Sequence, residues 1–232
     1  MKAVEFERTA FLSSDPLETA LALIAKEDCY KQCGRFTEAA ATLSRVPMYC
    51  LSDTLRAEVL HQKELCHYLA GEFDLALSAM EEKHILLPDA GGSVLDVLVL
   101  NEASRWEEAR DLLATLSPEA ADIYARIPRL KSEKTAFILA FIPPLGHFYT
   151  GRVGEGLLSL ALNLSAAGFG VWQVFEHCWL TGWLGGAVAL DYTYLGGIER
   201  ATFLTRKYNH DLSRSYNDSL RSAILSEELP LD

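Results

Sequence analysis

The sequence predicts an all-α protein with an N-terminal set of helical repeats and a C-terminal helical hairpin in a membrane. Residues 1–130 contain 13 Lys and Arg against 22 Asp and Glu, whereas residues 156–198 contain only two charged side chains, Glu176 and Asp191. Apolar residues recur at helical spacing, and no segment alternates as a strand does. A strongly acidic region and a nearly uncharged one seldom share one aqueous core, so we expect two domains.

The first predicted helix begins at Pro16. Asp15 is suited to cap its free N–H groups, proline fits the first turn, and Leu17, Leu21 and Ile24 form an apolar stripe. Before this helix, residues 1–8 lack the apolar run of a secretory signal. We therefore expect the N-terminal domain to stay in the cytosol.

The N-terminal part contains three copies of a short pattern. Each copy has a small residue, an aromatic residue two positions later and an alanine three positions after that. The copies are Gly34, Phe36 and Ala39; Gly71, Phe73 and Ala76; and Ser104, Trp106 and Ala109. They lie about 35 residues apart and resemble the tetratricopeptide repeat.

This resemblance implies that residues 1–125 form six antiparallel helices in three stacked pairs. It also implies that the small residue turns the chain within a pair, that the aromatic packs into the neighbouring repeat, and that the alanine allows close helix approach. Because Ser104 replaces glycine in the third copy, we expect a looser turn there. Stacked helix pairs provide a groove for a peptide or a partner helix, and the alternative is a rigid spacer.

The sequence contains no recognisable cluster of catalytic or metal-ligating residues. No nucleophile–base pair, phosphate-binding loop or metal-ligand spacing is present, so we expect no enzyme activity, no cofactor and no metal site. A net charge of −11 argues against nucleic acid as a partner. The cysteines are expected to be small apolar side chains rather than ligands or disulfides: Cys29, Cys33, Cys50, Cys66 and Cys178.

Two long apolar runs, Val153–Phe175 and 178–198, are separated only by Glu176 and His177. At 1.5 Å per residue each spans roughly 30 Å, the thickness of the hydrocarbon core of a bilayer. They predict a transmembrane hairpin. Trp172, Trp179 and Trp183 near its turn are typical of a membrane interface.

A third apolar segment, 135–149, is too short to span a bilayer as a regular helix and is interrupted by Pro143 and Pro144. Lys and Arg flank it and follow the hairpin, but the hairpin turn has none. All of these cations can face the cytoplasm only if 135–149 returns to its starting side. We interpret it as a re-entrant or half-helix after a basic linker, 126–134. The alternative is a kinked first span, which would place the N-terminal domain on the opposite side.

Small residues on both predicted spans suggest how the hairpin packs. Gly170 is expected to meet Gly182, Ala166 to meet Gly186, and Asn163 to lie near Ala189. An alternative use of Gly182 and Gly186 is self-association into a homo-oligomer.

Asp191 is expected on the face opposite this small-residue stripe. A lone carboxylate in lipid costs on the order of 2.5–3.5 kcal/mol, so we expect 135–149 to cover it, with His147, Tyr149 or Arg152 as donor. The alternative is an ion-handling carboxylate in a small transporter or channel subunit.

The segment after 143 carries a second resemblance, through Pro144, Gly146, Tyr149, Gly151, Arg152 and Gly156. It resembles a small membrane domain of two helices. The sequence signature of that domain is a proline or glycine followed by a glycine, an aromatic residue, a tyrosine and a second glycine. The segment is also similar to the hairpins of uncharacterised bacterial proteins in which helical repeats are joined to such a domain. The resemblance implies membrane residence and interaction, and no chemistry.

The sequence thus predicts a membrane-anchored adaptor or scaffold whose repeats bind a protein partner at the bilayer. Its expected place is a bacterial inner membrane, with the repeats in the cytoplasm. The membrane domain is 135–199. A polar tail, 200–232, is expected to continue as a helix to about Ser226.

Overall fold

The structure, a computed structural model, describes residues 2–226. Every regular segment in this range is helical, which confirms the all-α prediction. The described chain divides into two compact units. Unit 1 comprises residues 2–127 together with 217–226, and unit 2 is Pro128–Tyr216.

Unit 1 is built from helices joined by short turns. Its α-helices are α1 (Lys2–Leu12), α2 (Pro16–Gln32), α3 (Phe36–Leu43), α4 (Asp53–Leu69), α5 (Phe73–Leu86), α6 (Val94–Glu102) and α7 (Trp106–Leu116). Short 3₁₀ segments occur at Met48–Cys50, Pro88–Ala90 and Ala120–Tyr124. The pairs α2/α3, α4/α5 and α6/α7 each pack as a hairpin, as the sequence predicts.

Helix α1 is an addition to the six predicted helices, and it packs against α2. The Glu7 carboxylate accepts hydrogen bonds from Lys26 Nζ at 2.6 Å and from Arg45 Nη2 at 2.8 Å. The Arg45 guanidinium and then the Lys26 ammonium hold the pKa of Glu7 at about 2. These ion pairs fix α1 in place, a long-range arrangement that local periodicity does not reveal.

Helix α2 begins as predicted but buries a different face. The Asp15 side chain accepts a 3.0 Å hydrogen bond from the Leu17 amide, and Pro16 is the first helical residue. Leu17 and Leu21, however, are 42% and 50% exposed, whereas Ala20 and Leu23 are in the core. The predicted apolar stripe of α2 was therefore wrong for Leu17 and Leu21, whereas Ile24 packs against the core. The buried face of α2 combines small and large side chains: Ala20, Ala22, Leu23, Lys26 and Glu27.

The three repeat turns have one geometry. Gly34, Gly71 and Ser104 have φ of +69°, +75° and +58°, and each closes its helix with the same two backbone hydrogen bonds of 2.9–3.0 Å. The expectation of a looser third turn was wrong, because Ser104 adopts the left-handed conformation that glycine has elsewhere. Ala39, Ala76 and Ala109 are fully buried at equivalent places one turn into the next helix.

Unit 2 contains two short helices, a long apolar helix and the first part of the last helix. The short ones are α8 (Glu133–Ala140) and α9 (Leu145–Tyr149), and the long one is α10 (Val153–Phe175). The chain is helical again from Trp179, through α11 (Trp179–Thr181), a π-helical segment (Gly182–Ala187) and α12 (Val188–Ser226). The tail is thus helical up to Ser226, as predicted.

Within residues 2–226 only α10 is long and apolar enough to cross a membrane. The second predicted span, 178–198, does not meet this criterion, because it is divided among α11, the π-helical segment and the start of the largely polar helix α12. The 23 residues of α10 extend about 35 Å, and only 6% of the most apolar 18-residue stretch of this helix is buried inside the protein. Large apolar side chains are therefore exposed along α10, including Leu158 and Trp172 at 61% and 60%.

Candidate functional site

One candidate binding site of unit 1 is a cavity of about 630 Å³ beside α4, the start of α5, the start of α6 and the end of α12. Most of its lining side chains are apolar. They are His61, Leu65, Tyr68, Leu69, Phe73, Ser93, Val94, Leu95, Leu98, Arg221 and Leu225, together with Gly71. A cavity of this size and lining fits apolar side chains of a ligand or peptide.

Two turns, one before α5 and one before α6, contribute to the wall of this cavity. The left-handed turn at Gly71 directs the chain from α4 into α5. Ser93 caps α6 through a capping box, in which its hydroxyl accepts from the Asp96 amide and Asp96 accepts from the Ser93 amide. These turns place Tyr68, Phe73 and Val94 around the same space.

Arg221 is the only Lys or Arg among the described residues that line this cavity. Its guanidinium forms an ion pair with Glu102 and lies 5.6 Å from the centroid of the Tyr68 ring. Asn217 supports the pair, since its side-chain amide donates to Glu102 at 3.2 Å and accepts from the Trp106 indole at 2.8 Å. The positive charge is thus already balanced, which leaves the cavity suited to apolar contacts.

A buried polar cluster lies next to the cavity and joins α4, α5 and α6. Lys83 Nζ donates to Glu64 at 2.7 Å and to Asp96 at 2.5 Å, and all three side chains are at most 5% exposed. His84 Nε2 lies 2.9 Å from the second Asp96 oxygen. Three helices are therefore connected through one ammonium group.

The protonation state of this cluster follows from burial and charge. Burial, and next the Asp96 carboxylate, raise the pKa of Glu64 to about 8. Although burial opposes ionisation, the Lys83 ammonium lowers the pKa of Asp96. At neutral pH Lys83 is therefore a cation, Asp96 an anion and Glu64 protonated, and these three side chains together have no net charge.

The repeat-signature residues serve the helix pairs rather than the cavity, with two exceptions. Gly71 and Phe73 line it, whereas Gly34, Phe36 and Ala39 lie in the first pair and Trp106 and Ala109 in the third. The sequence analysis did not identify the buried cluster of Glu64, Lys83 and Asp96. The sequence does contain an indication of it, because Lys83 lies at helical spacing on the same buried face of α5 as Ala76, Ala79 and Met80.

In unit 2 the small-residue faces of the hairpin meet as predicted. A Cβ built on Gly186 would lie 2.3 Å from Gly170 Cα, and one on Gly182 would lie 3.1 Å from Gly170 O. Thr193 Oγ1 donates to Asn163 Oδ1 at 2.9 Å, which places the Asn163 contact one turn beyond the predicted Ala189.

The predicted pairing of Asp191 was wrong. Asp191 is exposed and makes no hydrogen bond or ion pair with any residue in the range 2–226. His147 is buried beside Gly156, and Tyr149 Oη accepts from the Ser132 amide at 3.0 Å. Arg152 lines a separate cavity.

The reason for this error is the axial position of the short helices. They do pack on the helix face that bears Asp191, because Ala140 contacts the cluster of Ile198 and Ala201. Tyr194 Oη donates to the Phe141 carbonyl at 2.8 Å, at the turn where α8 ends. Asp191 lies one turn before Tyr194, beyond this contact.

No group of three or more His, Cys, Asp or Glu in the part of the chain that the structure describes could hold a metal ion. All five cysteines are thiols, and Cys33 and Cys178 are exposed.

The fold and the cavity define an all-helical protein of packed helical hairpins. Comparison with known proteins identifies no family for it, since no family model, curated protein or solved structure matches the chain.

Proposed function

We propose that this protein is a non-catalytic adaptor, anchored in a membrane by the hairpin of unit 2, whose repeat-like unit 1 binds a protein partner. The observation that carries the anchoring is the exposed apolar surface of α10, 23 residues long. Water would hydrate this surface at a cost of about 25 cal/mol for each Å² of apolar area, whereas lipid tails would not. The tetratricopeptide-like pattern supports the binding role.

The short helices of unit 2 support the cytoplasmic placement of the repeats. A Cβ built on Gly146 of α9 would lie 2.7 Å from Ala140 of α8, so the chain reverses between these helices. A reversing segment returns to the side from which it came, and the basic residues before and after it then share the cytoplasmic side.

The partner that fits unit 1 is a segment with apolar anchor side chains flanked by Lys or Arg. The apolar cavity of about 630 Å³ would receive the anchors. Residues 1–130 carry a net charge of −9, from 13 Lys and Arg and 22 Asp and Glu, and would attract the basic flanks.

A photo-crosslinking amino acid at Leu69, in the cavity wall and 47% exposed, tests the adaptor function. The matched control is the same amino acid at Leu116, outside the cavity and 39% exposed. We expect one discrete product from position 69 in intact membranes, containing a partner segment of the stated chemistry, and none from position 116. The same products from both positions, or a product confined to the chain itself, would contradict the function.

The second candidate is a small transporter or channel subunit. The observation that favours it is Asp191, which is exposed and forms no ion pair with the residues that the structure describes. A proton or ion path would need this carboxylate. Proton flux into liposomes that contain the full chain, abolished by Asp191→Asn, would support this candidate. Flux equal to that of empty liposomes would remove it.

A further inference from the structure

Unit 2 contains a second cavity that is lined by cations. Its volume is about 320 Å³. The lining residues are Thr150, Arg152, Leu204, Lys207, Tyr208, Asp211, Leu212 and Ser215. Two cations, one carboxylate, three hydroxyl-bearing residues and two leucines thus surround one space.

The two cations of this cavity differ from their neighbours in forming no close ion pair within residues 2–226, although Arg152 also interacts electrostatically with Glu155 at longer range. Arg200 bonds to Glu155 at 3.0 Å, and Arg206 bonds to Glu133 at 2.7 Å. Arg152 and Lys207 form no ion pair with any carboxylate in residues 2–226. Asp211, the carboxylate of the cavity, lies 3.6 Å from His210 Nδ1.

A third cation reinforces the positive side of the cavity. Lys131 Nζ lies 4.1 Å from the centroid of the Tyr208 ring and donates to the Tyr149 carbonyl at 2.9 Å. Its ammonium therefore lies against the ring of Tyr208, a residue that lines the cavity. The lining itself has two cations and one carboxylate, and with Lys131 beside Tyr208 the cations outnumber it, which favours an anionic ligand.

The place of the cavity in the chain indicates where this anion would come from. Arg152 directly precedes Val153, the first residue of the apolar helix α10. Leu204 and Lys207 lie six and nine residues beyond Ile198, about 9 and 14 Å along α12. The head-group region extends roughly 5–8 Å beyond the hydrocarbon, and a lysine side chain readily reaches back toward it.

We propose that this cavity binds the phosphate group of an anionic phospholipid, with Arg152 and Lys207 as the charged ligands. Tyr208 also lines the cavity, and Leu204 and Leu212 offer contact to the glycerol and upper acyl chain. The inference rests on the proposed membrane anchoring. A free phosphate offers the same chemistry as the head group but none of the apolar contact.

Native mass spectrometry of the full chain in detergent tests the site, because a neutral micelle has no surface potential to attract anionic lipid generally. Phosphatidylglycerol, phosphatidylcholine and inorganic phosphate are titrated separately. The variant Arg152→Gln/Lys207→Gln is compared with Arg206→Gln/Arg214→Gln, which removes the same charge from unit 2 outside the cavity. Alkaline carbonate extraction of membranes that contain each variant is measured in parallel.

We expect the wild type and the control variant to retain one phosphatidylglycerol in preference to phosphatidylcholine. The cavity variant should bind it about tenfold more weakly or worse. Equal retention of both lipids, equal loss in both variants, or full competition by millimolar inorganic phosphate would overturn the lipid site. Extraction distinguishes the failures: a chain released by carbonate contradicts the anchoring itself, whereas a retained chain without lipid preference contradicts only the site.

Discussion

Ser104 has the left-handed backbone conformation that Gly34 and Gly71 have at the equivalent turns, with φ of +58°. For a residue with a Cβ this conformation costs roughly 1–2 kcal/mol. The turn nevertheless makes the same hydrogen bonds, so the packing of α6 against α7 must offset the cost. The sequence pattern therefore located the turn correctly, but it did not show that serine would be held in the conformation of glycine.

Ser104→Gly is expected to stabilise the protein by about 0.5–1 kcal/mol, because glycine relieves the backbone strain but is more flexible when unfolded. Ser104→Ala keeps a Cβ and is the matched control, with no gain expected. Thermal unfolding of the full chain in detergent is the measurement. Equal melting temperatures for the two variants would contradict the strain argument.

Glu64 gives the stability of unit 1 a dependence on pH. The pKa of Glu64 rises from 4.5 to about 8 on folding, chiefly through burial, so the folded chain retains a proton that the unfolded chain releases. This contribution is fully present below pH 4.5 and is lost as pH rises through about 8. Its slope is at most about 1.4 kcal/mol per pH unit.

Glu64→Gln removes this proton equilibrium and preserves the shape and the acceptor for Lys83. Relative to the wild type, its melting temperature should be similar near pH 5 and should become progressively higher toward pH 8. Glu119→Gln, at an exposed position, should show no such trend. A difference between Glu64→Gln and the wild type that stays constant across this range would mean that Glu64 is ionised in the folded protein.

At the level of secondary-structure elements, five helix ends in the two units share one turn. Gly151 and His177 repeat the left-handed conformation and the hydrogen bonds of the three repeat turns, and the next helix begins two residues later in every case. The small residue–x–aromatic pattern accompanies this turn at Gly34, Gly71 and Ser104, which is why it predicted those helix starts well, whereas Gly151 and His177 make the same turn without the full pattern. Helix α1 and the axial position of α8 depend on distant contacts, Glu7 with Arg45 and Phe141 with Tyr194, and no local pattern contains them.

Gly186→Leu is expected to disrupt the hairpin, because its Cβ would lie 2.3 Å from Gly170 Cα and the two helices would have to separate. Overpacking of this kind costs typically 1–3 kcal/mol. Gly196→Leu on the same helical run is the matched control, since a Cβ there meets nothing within 4 Å. If both variants melt like the wild type in detergent, the glycine contact does not hold the hairpin together.

At the scale of the whole molecule, the acidic residues 1–130 and the exposed apolar surface of α10 favour different surroundings. The first suits water, and the second suits an apolar environment such as lipid. The sequence indicated this division because charge and hydropathy differ along the chain. It could not indicate the two cavities, since their walls combine α4 with α6, and Thr150 with Leu204, across long stretches of sequence.

The central claim is that the hairpin crosses a membrane and leaves unit 1 in the cytoplasm, and two native thiols test it directly. Cys33 is exposed in unit 1, and Cys178 is exposed at the hairpin turn. Intact cells expressing the full chain are treated with a membrane-impermeant thiol reagent, and the labelled peptides are identified by mass spectrometry, before and after lysis. The account predicts labelling of Cys178 but not of Cys33 in intact cells, and labelling of both after lysis. Labelling of Cys33 in intact cells, or protection of both thiols until lysis, would contradict it.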